Sequence, residues 1–124
     1  MNNIKKIITA NIHWSLRITL AITFFIHGYP KVVEIGKLKP LFSKIGLPEF
    51  FAYFVGPFEV LGALFLLIGP FINEQITKIG ALLIIIIMLG AIFTVHVNDG
   101  WAGNEWQILI VCTCLLFLVK GNDV

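Results

Sequence analysis

Four long stretches of apolar residues take up most of this sequence, and they constrain its fold more than any other feature. They cover approximately residues 12–29, 50–72, 76–97 and 104–119 of a chain of 124 residues. A helix needs about 20 apolar residues to cross a bilayer, so four such helices use about 80 residues. The remainder is enough for connections but not for a second domain. We therefore predict an all-α integral membrane protein, in which residues 1–124 form one antiparallel, up-down-up-down four-helix bundle.

The small share of charged residues excludes the main competing class of protein. Only 13% of the residues are charged, and the mean hydropathy is +0.94. Soluble domains average about 25% charged residues, and a globule of this size cannot hide so much apolar surface from water. A soluble enzyme is thereby excluded. The net charge of +2, without any run of five like charges, also argues against a nucleic-acid partner.

The segments between the apolar stretches are expected to lie at the membrane surface. The polar loop 31–49 contains four lysines and forms either an exposed loop or a surface helix. Residues before position 12 have helical apolar spacing and are expected to lie along the interface. Pro30 is expected to end the first helix. Pro57 is expected to kink the second, because a helix that began there would keep only about 16 residues to cross the bilayer.

The fourth apolar stretch is the shortest, so it is expected to tilt little or to thin the bilayer. Lysine and arginine counts on the two sides set the orientation of a membrane protein, and here the lysines divide equally between them. Arg17 lies closer to the N-terminal side and favours cytoplasmic termini.

Several ionisable residues are expected to converge in such a bundle. The end of helix 1, the start of helix 2, the end of helix 3 and the start of helix 4 share one membrane face, near which lie His27, Lys31, His96, Asp99 and Glu105. By helix rise, Glu59 lies roughly 14 Å and Arg17 roughly 18 Å from that face. A lone charge at such depth costs about 2.5 to 3.5 kcal/mol. We therefore predict that Glu59 and Arg17 face inward and pair directly or through water.

Each of these residues also has an ordinary alternative role. Arg17 can extend to the near interface on its long side chain, and Lys31 can be an interfacial anchor. The two histidines can be interfacial, while Asp99 and Glu105 can be solvated or can cap a helix. The tryptophans fit aromatic belts, although Trp101, in a glycine-rich segment, is also placed to cover a polar pocket. Small residues beside Glu59 predict close helix packing, namely Gly56 and Gly62.

The two cysteines, Cys112 and Cys114, are expected to be packing residues. Two residues apart on a helix, they point roughly 200° away from one another, so they cannot form a disulfide. A cysteine-based redox site is the alternative.

An ordered set of short motifs resembles the DoxX family of small bacterial four-helix membrane proteins. The set begins with Arg17 and continues with four segments, Phe25–Lys31, Phe58–Gly62 with Leu66–Gly69, Ala91–His96 and Gly103–Glu105. The family pattern falls on eight residues, Arg17, His27, Gly28, Lys31, Glu59, Gly62, His96 and Glu105. The resemblance implies a multi-pass protein of the bacterial cytoplasmic membrane. It also implies a link to oxidoreductases, since the related DoxD group supplies a subunit of thiosulfate:quinone oxidoreductases.

The leading functional hypothesis is a redox accessory subunit that binds a quinone or another small oxidisable molecule. Histidine titrates near neutral pH, so the polar site can exchange protons with such a ligand. The sequence has no flavin or nicotinamide motif, and a peripheral oxidoreductase partner would supply the electrons.

Three alternatives remain at this point. One is a transporter of protons or small solutes, since ionisable residues at membrane depth mark transport paths; four helices would then require a homo-oligomer. Another is a scaffold without chemistry. In the third, His27 and His96 ligate a haem, although nothing beyond the pair supports it. No metal site is expected.

Overall fold

The computed structural model describes residues 2–124 and contains helices, turns and no strand within that range. The predicted all-α class is confirmed. A single 3-10 turn covers Glu49–Phe51. The α-helices, in chain order, are α1 (Asn3–Asn11), α2 (His13–Val33), α3 (Ile35–Lys44), α4 (Ala52–Ile72), α5 (Glu74–Phe93) and α6 (Gly100–Lys120).

Three helical segments are long and apolar enough to cross a membrane. They are Glu49–Ile72, Glu74–Phe93 and Gly100–Lys120, with 24, 20 and 21 residues. The N-terminal helices pass the same test only together with α3, from which they are bent by 90°. Large apolar side chains on these helices are exposed on the outside of the protein, as lipid contact requires. The chain is therefore a multi-pass membrane protein with three or four spans.

The first long helix continues past Pro30, which corrects the expected end at residue 29. α2 runs to Val33, and the backbone N–H of Glu34 donates to the carbonyl oxygen of Pro30 at 2.8 Å. The proline removes only its own N–H from the helix. In a bilayer the remaining backbone groups need intrahelical partners, which favours continuation. As a result Lys31 lies in the last turn of α2 rather than in a loop.

The turn between the last two helices lies about four residues earlier in the chain than the sequence indicates. α5 ends at Phe93 rather than at residue 97, and α6 begins at Gly100 rather than at residue 104. Polar residues here satisfy the backbone locally: the Asn104 side chain donates to the carbonyl oxygens of His96 and Gly100. With 21 residues, α6 is not a short span, and no bilayer thinning is needed to accommodate it.

The polar segment 31–49 contains a surface helix, one of the two expected alternatives. Its apolar residues Leu38, Leu41 and Phe42 recur at helical spacing, and Phe42 is buried. The N-terminal segment is also helical, and every residue of α1 is exposed. The structure thus shows helices in both connecting segments where the sequence predicts interfacial ones.

The interior is built on close contacts of α4 with α2 and of α4 with α5. Gly56 packs on the α2 backbone at Val32, whereas Gly62 faces Gly80 of α5. Residues further along α4 contact residues earlier in α2: Gly56 contacts Val32, whereas Glu59 contacts Gly28. α6 packs against α5. The apolar core between them comprises Leu20, Ala21, Phe24, Ala63, Leu66, Ala81, Ile84, Ile85, Met88, Ile110, Cys114 and Phe117.

Substitution of Gly56 by alanine tests how closely α2 and α4 approach. A Cβ atom at Gly56 would lie 2.8 Å from the backbone nitrogen of Val32, so the helices must separate. Overpacking of this kind costs about 1 to 3 kcal/mol. We expect a lower midpoint of thermal unfolding in detergent. Gly90→Ala is the matched control, since nothing lies within 4 Å of a Cβ there; equal midpoints for the two variants would contradict this packing.

Candidate functional site

The described part of the protein contains a cavity of about 830 Å³. Four predicted site residues line it, His27, Lys31, Glu59 and His96. The rest of its wall is predominantly apolar and aromatic, and includes Phe24, Leu38, Leu41, Phe42, Phe51, Phe54, Phe58, Ile86, Met88 and Trp106. Binding pockets for small molecules commonly enclose about 300 to 1,000 Å³ and have mostly apolar walls with a few polar groups. The cavity has the size and the lining of a ligand site.

The buried carboxylate of Glu59 is the polar centre of the cavity wall. Glu59 is 1% exposed, and Lys31 Nζ donates to its Oε1 at 2.7 Å. Lys31 itself is one-third exposed, so this ion pair reaches from the interior towards the rim of the cavity. Within residues 2–124, Glu59 Oε2 has no hydrogen-bond partner. A buried carboxylate oxygen without a donor is costly, and it marks a place where the protein can take up one.

His96 also lines the cavity, from the turn that follows α5. Its Nδ1 lies 2.8 Å from Oδ2 of Asp99. Because a carboxylate only accepts hydrogen bonds, Nδ1 carries the proton in this pair, and in the neutral ring Nε2 is then an acceptor. Asp99 does not line the cavity but fixes the orientation of the imidazole that does.

The structure places the remaining predicted site residues in three kinds of position. Glu105 and Trp101 are exposed on α6 and lie outside the cavity wall. His27 lines the cavity and is exposed. The glycines lie at helix contacts. Gly28 faces the Glu59 side chain, and a Cβ atom added at Gly28 would lie 2.9 Å from the Cβ atom of Glu59.

Arg17 lies at the opposite end of α2 and belongs to a different cluster. It is fully buried, and its guanidinium donates to His13 Nδ1 at 2.9 Å, Leu66 O at 2.6 Å, Thr77 Oγ1 at 3.1 Å and Asn122 Oδ1 at 3.0 Å. The predicted inward orientation of Arg17 and Glu59 is confirmed. The predicted pairing between them is wrong, since Glu59 binds Lys31 instead.

Helix geometry explains why Arg17 and Glu59 do not meet. Fourteen residues separate Arg17 from Lys31 along α2, which is about 21 Å of helix. Side chains on a helix lean towards its N-terminus, and the contacts of α2 and α4 run in opposite order. The two side chains therefore lean towards opposite ends of the protein.

Several residues of both clusters are missing from the sequence prediction. Thr77 and Asn122 hold Arg17, and Thr77 Oγ1 also donates to Asn122 Oδ1 at 2.6 Å. A lone threonine in an apolar helix and an asparagine just after the last helix were the available signals. Trp106 and Gln107 line the cavity one helical turn beyond the point where the predicted fourth helix began.

The described part of the chain contains no disulfide and no cluster of side chains that could hold a metal ion. Both cysteines are free thiols, Cys112 exposed and Cys114 buried. No three His, Cys, Asp or Glu side chains in residues 2–124 converge as a metal site would.

Comparison with known proteins gives two findings. The family model described as DoxX matches residues 13–97, which include all four predicted residues in the cavity wall. A protein of Bacillus subtilis (strain 168) named "Putative oxidoreductase CatD" is 31% identical over 108 residues, covering 86% of this chain and 77% of that protein. No solved structure matches the chain.

Proposed function

Because this chain belongs to the DoxX family, we propose that it is a redox accessory subunit that binds a quinone or a similar small oxidisable molecule in its cavity. We place it in the bacterial cytoplasmic membrane as one domain of four antiparallel spans, with α1 and α2 forming the first. Both termini would face the cytoplasm, and α3 would lie on the opposite surface. The oxidoreductase name of the Bacillus relative supports a redox role.

The observation that carries this proposal is the composition of the cavity wall. A quinone combines a planar ring, two polar oxygens and an apolar chain. The cavity offers aromatic and aliphatic side chains from α2 through α6, with polar groups at two points, the Lys31–Glu59 pair and His96. Ligand sites that orient a mostly apolar molecule have this division between apolar walls and a few polar groups.

The polar groups have distinct roles in this proposal. Lys31 is a donor and suits a ring oxygen of the ligand. His96 is held by Asp99 at 2.8 Å, and in this proposal its Nε2 exchanges a proton with the ligand. A bound quinone accepts two electrons and two protons, and a peripheral oxidoreductase partner supplies the electrons. This chain would thus hold the ligand and handle its protons.

The transporter alternative has less support, because the apolar core divides the two polar clusters. On α2, Leu20 and Ala21 lie between Arg17 and the cavity residues, and both are buried in the core. On α4, Ala63 and Leu66 lie in the same position beyond Glu59. A transport path would have to open through this packed layer. A scaffold without chemistry would not require the cavity.

Filling the cavity tests the proposal without altering its charged groups. Ala91 lines the cavity, so Ala91→Phe places a ring in the ligand volume. We expect at least a tenfold weaker affinity for a short-chain benzoquinone, measured by quenching of tryptophan fluorescence in the purified protein, because Trp106 is in the cavity wall.

The control variant is Ala102→Phe, which adds the same ring at an exposed position outside the cavity. It should bind the quinone as the unsubstituted protein does. Equal affinity in both variants, with both folded, would place quinone binding outside this cavity. Absence of saturable binding by the unsubstituted protein would refute the quinone proposal itself.

A further inference from the structure

We propose that the cavity selects ligands that carry a hydroxyl group, so that the reduced, quinol form binds more tightly than the quinone. This inference rests on the proposed function and names the ligand form that the same site prefers. Its basis is the unequal bonding of the two oxygens of Glu59. Oε1 accepts from Lys31 Nζ at 2.7 Å, and Oε2 has no partner in residues 2–124.

A carboxylate in an ion pair is an acceptor only. Glu59 therefore gains from a ligand that donates a hydrogen bond and gains nothing from a carbonyl or an ether oxygen. At 1% exposure, its side chain cannot turn to bulk water for that bond. The missing donor must come from within the cavity that Glu59 lines.

The carboxylate can present its free bonding capacity to the cavity by a small motion. The terminal torsion of a glutamate is broad, so a partial rotation reorients the unpartnered oxygen without moving the backbone. Gly28 stands beside Oε2, and a Cβ there would lie 3.3 Å from that oxygen. The absence of a side chain at Gly28 leaves the carboxylate room to rotate.

His96, another polar group of the cavity wall, can also accept a hydrogen bond from the ligand. His96 Nε2 is an acceptor while Asp99 holds the Nδ1 proton. A hydroquinone has hydroxyls at opposite ring positions and can donate to an acceptor at each. A quinone has no ring donor and would face both Glu59 and His96 with lone pairs. The acceptors of the cavity therefore favour the reduced form.

Three ligands with one ring and one ten-carbon chain isolate this effect: the benzoquinone, its hydroquinone and the dimethyl ether of the hydroquinone. The hydroquinone has two hydroxyl donors, whereas in its ether both hydroxyls are methylated and donate no hydrogen bond. We expect the purified protein to bind the hydroquinone at least tenfold more tightly than the ether, by anaerobic calorimetry with empty micelles subtracted. A tenfold preference over the quinone would raise the midpoint potential of the bound couple by about 30 mV.

Two variants test whether the preference depends on the Lys31–Glu59 pair. In the double variant Lys31→Met and Glu59→Leu the preference should disappear, while Glu105→Gln, outside the cavity, should retain it. If the unsubstituted protein binds all three ligands equally, the hydroxyl inference is overturned and quinone binding stands. If none binds, the proposed function fails and this inference with it. A preference that survives in the double variant would overturn the role of Glu59.

Discussion

Replacement of Arg17 by alanine is expected to lower the free energy of unfolding by about 3 kcal/mol or more, the largest effect of any single substitution in this protein. Hydrogen bonds from a charged donor contribute about 1.5 to 3 kcal/mol each, and Arg17 makes four. Removal leaves the carbonyl oxygen of Leu66 and the side chain of Asn122 without this donor. It also leaves a void beneath the ring of Phe117, which lies 4.8 Å from the guanidinium carbon.

The effect should be visible as a fall of about 10 °C or more in the midpoint of thermal unfolding, followed by circular dichroism in one detergent. Lys6→Ala removes a cation from the exposed face of α1 and should leave the midpoint unchanged. Arg17→Lys keeps the charge but loses the planar fork that reaches several acceptors at once, so it should fall between the two. A midpoint unchanged in Arg17→Ala would contradict the role of the cluster.

The same variant separates the two polar clusters by function. Arg17 binds the C-terminal segment through Asn122, whose side chain also donates to the carbonyl oxygen of Gly69 at 3.2 Å. Through its four side-chain hydrogen bonds, Arg17 connects α2, α4, α5 and the residues after α6. None of these four contacts involves the cavity wall. Below its own unfolding midpoint, Arg17→Ala should bind the quinone with unchanged affinity.

The hydropathy pattern was sufficient to predict the all-α membrane class, because backbone groups in a bilayer are satisfied by helices. It also located the buried charges, since each costs too much to face lipid. Helix ends were harder to place. They depend on contacts between distant residues, such as that of Gly56 with the backbone of Val32, and on local bonds from Asn104. Neither contact leaves a periodic signal in the sequence.

Partner choice was the part of the site that sequence reasoning could not give. The depths estimated for Arg17 and Glu59 match only if helix 1 ends at residue 29, as the sequence predicts. With α2 reaching Val33, Lys31 enters the interior contact, and a residue that resembled an interfacial anchor becomes the partner of Glu59. The error of four residues in one boundary changed which cation meets the carboxylate.

The second large effect is expected at this ion pair, and it should be asymmetric. Lys31→Met leaves the carboxylate of Glu59 buried without a countercharge, which we expect to cost about 2 to 4 kcal/mol. Glu59→Gln should cost only about 1 kcal/mol, because Lys31 is one-third exposed and can turn its ammonium to water. The double variant Lys31→Met with Glu59→Gln contains neither charge and should be more stable than Lys31→Met alone.

A double-mutant cycle of these variants measures the coupling directly from unfolding in one detergent, and contacting residues typically couple by about 0.5 to 3 kcal/mol.

The matched control is the same substitution at another lysine, Lys37→Met. Its ion pair with Glu34, at 3.3 Å, is largely exposed on both sides, and such pairs contribute at most about 1 kcal/mol. Equal losses for Lys31→Met and Lys37→Met would mean that water screens the Glu59 carboxylate. The orphaned oxygen would then already have a donor, and the preference for hydroxyl-bearing ligands would lose its physical basis. A loss confined to Lys31→Met, restored in the double variant, is the result that a dry carboxylate requires.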